Sequence, residues 1–164
     1  AMTIEENLIA VRLDQPPFTK GIMMNKSGQD AYAKEMVEQF DIRPADYNLP
    51  TSSLSGGNAQ KLILARETAS KPDVILASYP VRGLDIKATE SIHKILVNEK
   101  NRGAGVLLVS EDLDEIFQLC DRVAVMKSGE IIEQGRTHEV LSTPRHDYTK
   151  QLMEASILFQ EALC

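Results

Sequence analysis

The sequence predicts an α/β fold, a parallel sheet covered by helices, and three observations carry that expectation. Short apolar runs at 74–77, 106–109 and 123–126 have the length and composition of buried strands. Between them helical periodicity returns: Ile92, Ile95 and Leu96 share one face, and Leu113, Ile116, Phe117 and Cys120 form one stripe. One strand, one helix and the next strand take about 30 residues, the length of a right-handed β-α-β crossover.

Upstream of these units the pattern is different. Thr3 and Glu6 match a capping box, in which hydroxyl and carboxylate satisfy each other's backbone N–H, and predict a short helix through Leu8 and Val11. Residues 15–28, with Pro16-Pro17 and several small or polar breakers, read as an irregular loop. From Asp30, the residues Ala33, Met36, Val37 and Phe40 fall on one helical face, and Pro44 and Pro50 end that helix. The first fifty residues thus predict a small helical unit without a strand. After Leu54 a glycine pair opens a helix over 61–69 that leads into the strand at 74–77. A second helix starts near Ala88, and Gly103 and Gly105 bracket its exit into the strand at 106–109. Runs at 123–126 and 131–133 around Lys127-Ser128-Gly129-Glu130 predict a hairpin, and a terminal helix starts near Tyr148. Three strand-like runs and one hairpin strand make a thin sheet, and nothing before residue 54 adds to it. Half a core is expected to be missing. Ala1-Met2 ahead of an immediate helix signal fits a cloned fragment.

Composition narrows the function classes. Of 164 residues 43% are hydrophobic and 26% charged, as in an ordinary globular domain. Eighteen basic against 24 acidic residues, a net charge of −6, argue against nucleic acid as a partner and against a polybasic membrane patch. An anionic ligand must therefore be held by local geometry. No apolar stretch reaches the ~18 residues of a membrane span, and residues 1–8 lack the features of a signal peptide, so an intracellular protein is expected. Cys120 and Cys164 lie far apart, and His93, His138 and His146 make no metal-ligand spacing with them. Both thiols are expected reduced and unliganded, with no metal. Charged pairs such as Glu5-Glu6, Lys34-Glu35 and Glu111-Asp112 read as solvated faces.

The most informative segment is Leu54-Ser55-Gly56-Gly57-Asn58-Ala59-Gln60-Lys61. Two glycines allow close approach of a ligand, and the helix they open directs unsatisfied N–H groups and a positive dipole end outward, which suits a phosphate. Alone, Ser-Gly-Gly is more often just a helix cap and a turn. Its context decides otherwise. The segment resembles the signature motif of ATP-binding cassette (ABC) ATPases, in the variant found in sugar and nucleoside importers. Pro80-Val81-Arg82-Gly83-Leu84-Asp85 is similar to the exit of the family's Walker B strand and its D-loop. Cys120-Asp121-Arg122-Val123-Ala124-Val125-Met126 stands where the family has the approach to its last hairpin. The resemblance covers nearly the whole chain. It implies a partial P-loop NTPase (RecA-like) core with an N-terminal ABC helical subdomain. Residues 1–60 would be the helical subdomain, 61–142 the C-terminal half of the core, and 143–164 a C-terminal helix. It also implies that Leu54, Ser55, Gly56, Gly57, Asn58 and Gln60 contact a nucleotide in trans and that Gly83, Leu84 and Asp85 form the D-loop.

Departures from the family pattern are as telling. Where the family has an Asp for the Mg²⁺ shell and a Glu for the attacking water, this chain has Ser78 and Tyr79. A phenol with a pKa of about 10 is no general base at neutral pH. The family's switch histidine is replaced by Glu111, an anion that would repel a γ-phosphate. The phosphate loop G-x-x-x-x-G-K-[ST] does not occur, since none of the nine glycines is followed by lysine.

The resemblance therefore implies the second, degenerate nucleotide-binding domain of a fused sugar- or nucleoside-importer ATPase, inactive by itself. ATP and Mg²⁺ would belong to the full-length assembly and not to the isolated chain. Implied partners are a second nucleotide-binding domain, transmembrane permease subunits and, indirectly, a solute-binding protein, on the cytoplasmic side of the cell membrane. Pro16-Pro17-Phe18 and Ser110-Glu111-Asp112-Leu113-Asp114-Glu115 look most like the nucleoside branch. Two rival readings are a chromosome-maintenance ATPase head, which would need flanking coiled-coil heptads not found in the sequence, and a truncated, non-enzymatic ABC-like interaction module.

Overall fold

A computed structural model describes residues 1–21 and 23–161, with side chains through residue 155 apart from residue 22. The backbone divides into two compact units, Ala1–Leu107 and Leu108–Cys164.

The first unit opens with α1 (Ile4–Ile9), and the capping box forms: Thr3 N donates to Glu6 Oε2 at 2.8 Å, and Glu6 N donates to Thr3 Oγ1 at 3.1 Å. The helix stops at Ile9 and does not reach Val11, which is 58% exposed. Arg12 N donates to Ile9 O at 2.9 Å and turns the chain. The Arg12 guanidinium then covers the rings of Phe18 and Tyr32, at 5.4 and 5.1 Å, and donates to Ala69 O. The segment expected to be irregular holds a minimal antiparallel pair, β1 (Thr19–Lys20) and β2 (Met23–Met24), so the helical unit is not strand-free. Two-residue strands carry no periodicity that a sequence could display. Next, α2 (Lys26–Gln39) buries Ala33, Met36 and Val37 and ends where Asp41 takes φ 46°. A 3-10 turn at Thr51–Ser53 leads to α3 (Gly56–Thr68). Ile4, Leu8, Phe18, Ala33, Val37, Ile42, Leu62 and Ala65 form the core that binds these helices together.

Beyond α3 come β3 (Val74–Ser78), α4 (Ile86–Arg102) and β4 (Gly105–Val109). Gly103, at φ 106°, supplies the left-handed C-cap of α4. β3 and β4 are neighbours, and Gly105 N donates to Asp73 O at 2.8 Å, so the strands begin side by side and run in the same direction, with α4 as the crossover. α4 buries Ile92 and Leu96 as its periodicity predicts. The strands, expected to be buried, are covered on one side: Ile75 and Ala77 are buried, while Val74, Leu76 and Leu107 are 70, 67 and 60% exposed. Runs apolar in every position belong to sheets covered on both faces. Here part of that cover is not supplied by the described residues.

In the second unit, α5 (Leu113–Leu119) is capped by Asp112, whose Oδ1 accepts from the N–H groups of Asp114 and Glu115. Its expected apolar stripe is covered only in part: Leu113, Ile116 and Cys120 are half-buried, while Phe117 is 54% exposed and Glu115 only 3%. The hairpin of β5 (Arg122–Lys127) and β6 (Glu130–Arg136) turns through Ser128 and Gly129, both at positive φ, as a two-residue turn requires. Among the described residues the two strands pair with each other. A short α6 (Thr137–Ser142), absent from the sequence expectations, follows, and α7 (Asp147–Glu161) starts one residue before Tyr148. The Glu133 carboxylate fixes the entry to α7. The nearby Thr149 hydroxyl, with the N–H groups that Arg145 (2.8 Å) and His146 (3.1 Å) donate to the carboxylate, holds it below the usual carboxylate range. Cys120 is half-buried and forms no disulfide, and Cys164 lies outside the described residues. No helix among the described residues is long and apolar enough to cross a membrane.

Candidate functional site

Ser55 is the N-cap of α3: its extended backbone (φ −66°, ψ 161°) ends the approach from the 3-10 turn, and its O accepts the Ala59 N–H at 2.8 Å. Its hydroxyl is shared locally, accepting from Asn58 N at 3.4 Å and Asn58 Nδ2 at 3.0 Å. Asn58 in turn uses its side-chain oxygen to accept Arg43 N at 2.8 Å, tying the first turn of α3 to the segment after α2. The N–H groups of Gly56 and Gly57 meet no protein acceptor among the described residues. Ser55 and Gly56 are exposed, and Gly57 and Asn58 half-buried. This is an open helix terminus with a preorganised hydroxyl and donors available to an anion. Leu54 is half-buried against the core below, and Gln60 is half-buried one turn further along.

The glycine pair is explained differently from the sequence argument. A Cβ at position 57 would lie 2.6 Å from Ala88 Cβ, far inside van der Waals contact, and one at position 56 would lie 3.5 Å from Leu84 Cδ2. At Gly57, therefore, the missing side chain makes room for α4 and not only for a ligand. The loop before α4 is itself well determined. Gly83 takes φ 74°, Leu84 N donates to Val81 O at 3.1 Å, and Asp85 Oδ1 accepts Ala88 N at 2.9 Å as the N-cap of α4. Signature segment and loop 83–85 thus meet within one unit. Sequence reasoning singled out both segments but not Ala88, whose signal is only a small residue three positions after an Asp cap.

The remaining candidates behave as their side chains dictate. Ser78 ends β3 in an exposed position. Tyr79 follows at φ 48°, its ring 41% exposed with the Arg82 guanidinium 5.6 Å from its centroid. Glu111 is exposed in the second unit, in the loop where Asp112 N donates to Ser110 Oγ. At 78 and 79 the chain offers hydroxyls and no carboxylate, a poor donor set for Mg²⁺. The hydroxyl and free N–H groups at 55–57 suit phosphate oxygens.

No family model matches the chain. Among solved structures, a nucleotide-free ATP-binding cassette from an ABC transporter superposes with a TM-score of 0.73 at 22% identity, covering 92% of this chain and 62% of that one. A dimeric bacterial ABC transporter cassette gives a TM-score of 0.66 at 25% identity, covering 83% and 57%. The fold is that of an ABC ATPase cassette, a P-loop NTPase fold, in part. In sequence, the chain is 42% identical over 130 residues to the nucleoside import ATP-binding protein NupA of Lactococcus lactis, covering 79% of this chain and 26% of that protein. It is 37% identical over 136 residues to the guanosine import ATP-binding protein NupO of Bacillus subtilis, covering 83% and 27%. It is also 37% identical over 139 residues to a ribose import ATP-binding protein, RbsA 2, of Rhizobium meliloti, covering 85% and 27%. The chain belongs to the family of ABC importer ATP-binding proteins. It spans about a quarter of the length of these curated relatives.

Proposed function

We propose that this chain is the signature-bearing part of the ATP-binding subunit of an ABC importer for a sugar- or nucleoside-like solute. It completes, in trans, an ATP site whose phosphate loop belongs to a second nucleotide-binding domain. The observation that carries this reading is the exposed Ser55 cap with the N–H groups of Gly56 and Gly57 that meet no acceptor among the described residues. In the sequence, positions 78, 79 and 111 carry Ser, Tyr and Glu, none of which suits metal, water or γ-phosphate handling. The Ser55 hydroxyl and these N–H groups donate to phosphate oxygens, and preorganised donors of that kind carry ~10²–10³ in rate. ATP and Mg²⁺ come with the partner domain and supply the phosphoanhydride and its counter-charge. The segmentation into 1–60, 61–142 and 143–164 goes with this reading, as do a permease, a solute-binding protein and a peripheral place on the cytoplasmic membrane face.

The test is ATPase turnover of the polypeptide that carries this chain, assembled with its partner domain. Ser55→Arg should abolish turnover, whereas Tyr79→Phe and Glu111→Gln should leave it within about threefold, each losing contacts of under ~1 kcal/mol. Loss of turnover in Glu111→Gln with Ser55→Arg tolerated would reverse the assignment of live and silent positions. Indifference to all three would favour a non-enzymatic interaction module.

A further inference from the structure

The signature segment is not held by its own helix alone. Two close approaches join it to the start of α4 and the loop before it: the position of a Gly57 Cβ lies 2.6 Å from Ala88 Cβ, and that of a Gly56 Cβ lies 3.5 Å from Leu84 Cδ2. Ala88 N is itself capped by Asp85 Oδ1 at 2.9 Å. Asp85 fixes the first turn of α4, which presents the Ala88 methyl to Gly57. That methyl has no rotamer by which to withdraw. Leu84 reaches Gly56 from the same loop. Movement of loop 83–85 must therefore move the end of α3, and movement of α3 must press on Ala88.

We propose that Ala88 is a positioning residue for the signature segment, and that Gly57 is glycine because the α3–α4 contact, not a bound phosphate, fills the space its side chain would take. Segment 55–58 and loop 83–85 then reach a partner's nucleotide as one rigid piece. The proposal rests on the reading of Ser55 as a phosphate donor, but its structural half can be measured without that reading.

Close packing makes the prediction specific. Ala at 57 collides with the 88 methyl, yet with that methyl removed the nearest atom of residue 88 is its Cα at 3.9 Å, an ordinary contact. Four variants of the assembled polypeptide separate the possibilities: Ser55→Ala, Gly57→Ala, Ala88→Gly and the exchange Gly57→Ala with Ala88→Gly. Turnover, KM for ATP and the melting temperature are measured for each. Gly57→Ala should lower kcat about tenfold or more, a fraction of a full donor loss. KM should be nearly unchanged, because the partner's loop holds the nucleotide. Ala88→Gly should lower kcat several-fold while the melting temperature falls by no more than about 2–4 °C, the cost of a helical glycine, and the exchange should recover at least a third of the parental kcat.

An exchange variant that melts normally yet stays as slow as Gly57→Ala would overturn the proposal, since glycine would then be needed by the ligand itself. If Gly57→Ala fails to fold, Ala88→Gly decides: it leaves residues 55–58 chemically intact, so unchanged kcat rejects the positioning role and reduced kcat supports it. Amide exchange of Gly56, Gly57 and Asn58 in this chain is followed alongside. Faster exchange in Ala88→Gly supports the coupling even if Ser55→Ala has no effect on turnover, a result that would sink the functional reading alone. Unaltered exchange rejects the coupling.

Discussion

The side-chain oxygen of Asn58 accepts the backbone N–H of Arg43 at 2.8 Å, while its Nδ2 donates to Ser55 Oγ at 3.0 Å. One amide thus anchors α3 to the preceding segment and orients the Ser55 hydroxyl. The two tasks can be separated. Asn58→Ala loses both and should lower the melting temperature by about 2–4 °C, corresponding to ~1 kcal/mol for one net hydrogen bond. Asn58→Asp keeps the acceptor for Arg43, so its melting temperature should stay near the parent, but it loses the donor to Ser55 and adds charge next to an incoming phosphate. Its turnover in the assembly should fall. Equal stability losses in the two variants would disprove the division of labour.

Titration of this chain with Mg-ATP should give no heat of binding and no turnover. On the proposed reading, Ser78, Tyr79 and Glu111 stand where groups that handle metal, water and γ-phosphate would be, and none of the glycines is followed by lysine as a phosphate loop requires. A micromolar dissociation constant by calorimetry would contradict this.

Val74, Leu76 and Leu107 leave apolar strand surface open, at 70, 67 and 60% exposure. Such surface drives self-association. Light scattering on the 164-residue chain should detect dimers or larger species, and Leu76→Lys should shift the population towards monomer. A monomeric parent at high concentration would remove the basis for this expectation.

Glu133 gives a pH dependence of definite sign. Its native carboxyl is held below the usual range by the Thr149 hydroxyl and by the N–H groups of Arg145 and His146. A depressed native pKa contributes stability that is complete above the unfolded value, about 4.3, and is lost as pH falls through the native one. Acidification from pH 5 should therefore loosen the entry to α7, and the Arg145 and His146 amide resonances should titrate with a midpoint below that of an ordinary glutamate. Glu133→Gln should abolish that titration. A midpoint at or above the ordinary value would refute the anchoring role.

How much of this was legible depended on the range of the interaction. The capping box at Thr3 and Glu6, the apolar face at Ala33, Met36 and Val37, the crossover helix with Ile92 and Leu96, and the turn at Ser128-Gly129 are set by residues within a few positions of each other. They came out as expected because local hydrogen bonds and side-chain period decide them. The expectation that α1 would reach Val11 failed because Arg12 finds Phe18, Tyr32 and Ala69, the last of them 57 positions away. The stripe on α5 is covered only in part, with Phe117 left exposed, because apolar periodicity states which side chains could be buried, not what is present to bury them.

By itself the sequence determined the α/β class, the order of most elements, and which residue types stand at 55–57, 78, 79 and 111. These follow from side-chain chemistry and short-range backbone preference. Only the tertiary structure decided why position 57 is glycine, that Leu84 and Ala88 back the signature segment, that Asn58 reaches Arg43, and which face of β3 stays open. Each depends on surfaces far apart in the chain meeting at van der Waals distance. Excluded volume acts between atoms in space and leaves no periodic trace along the chain.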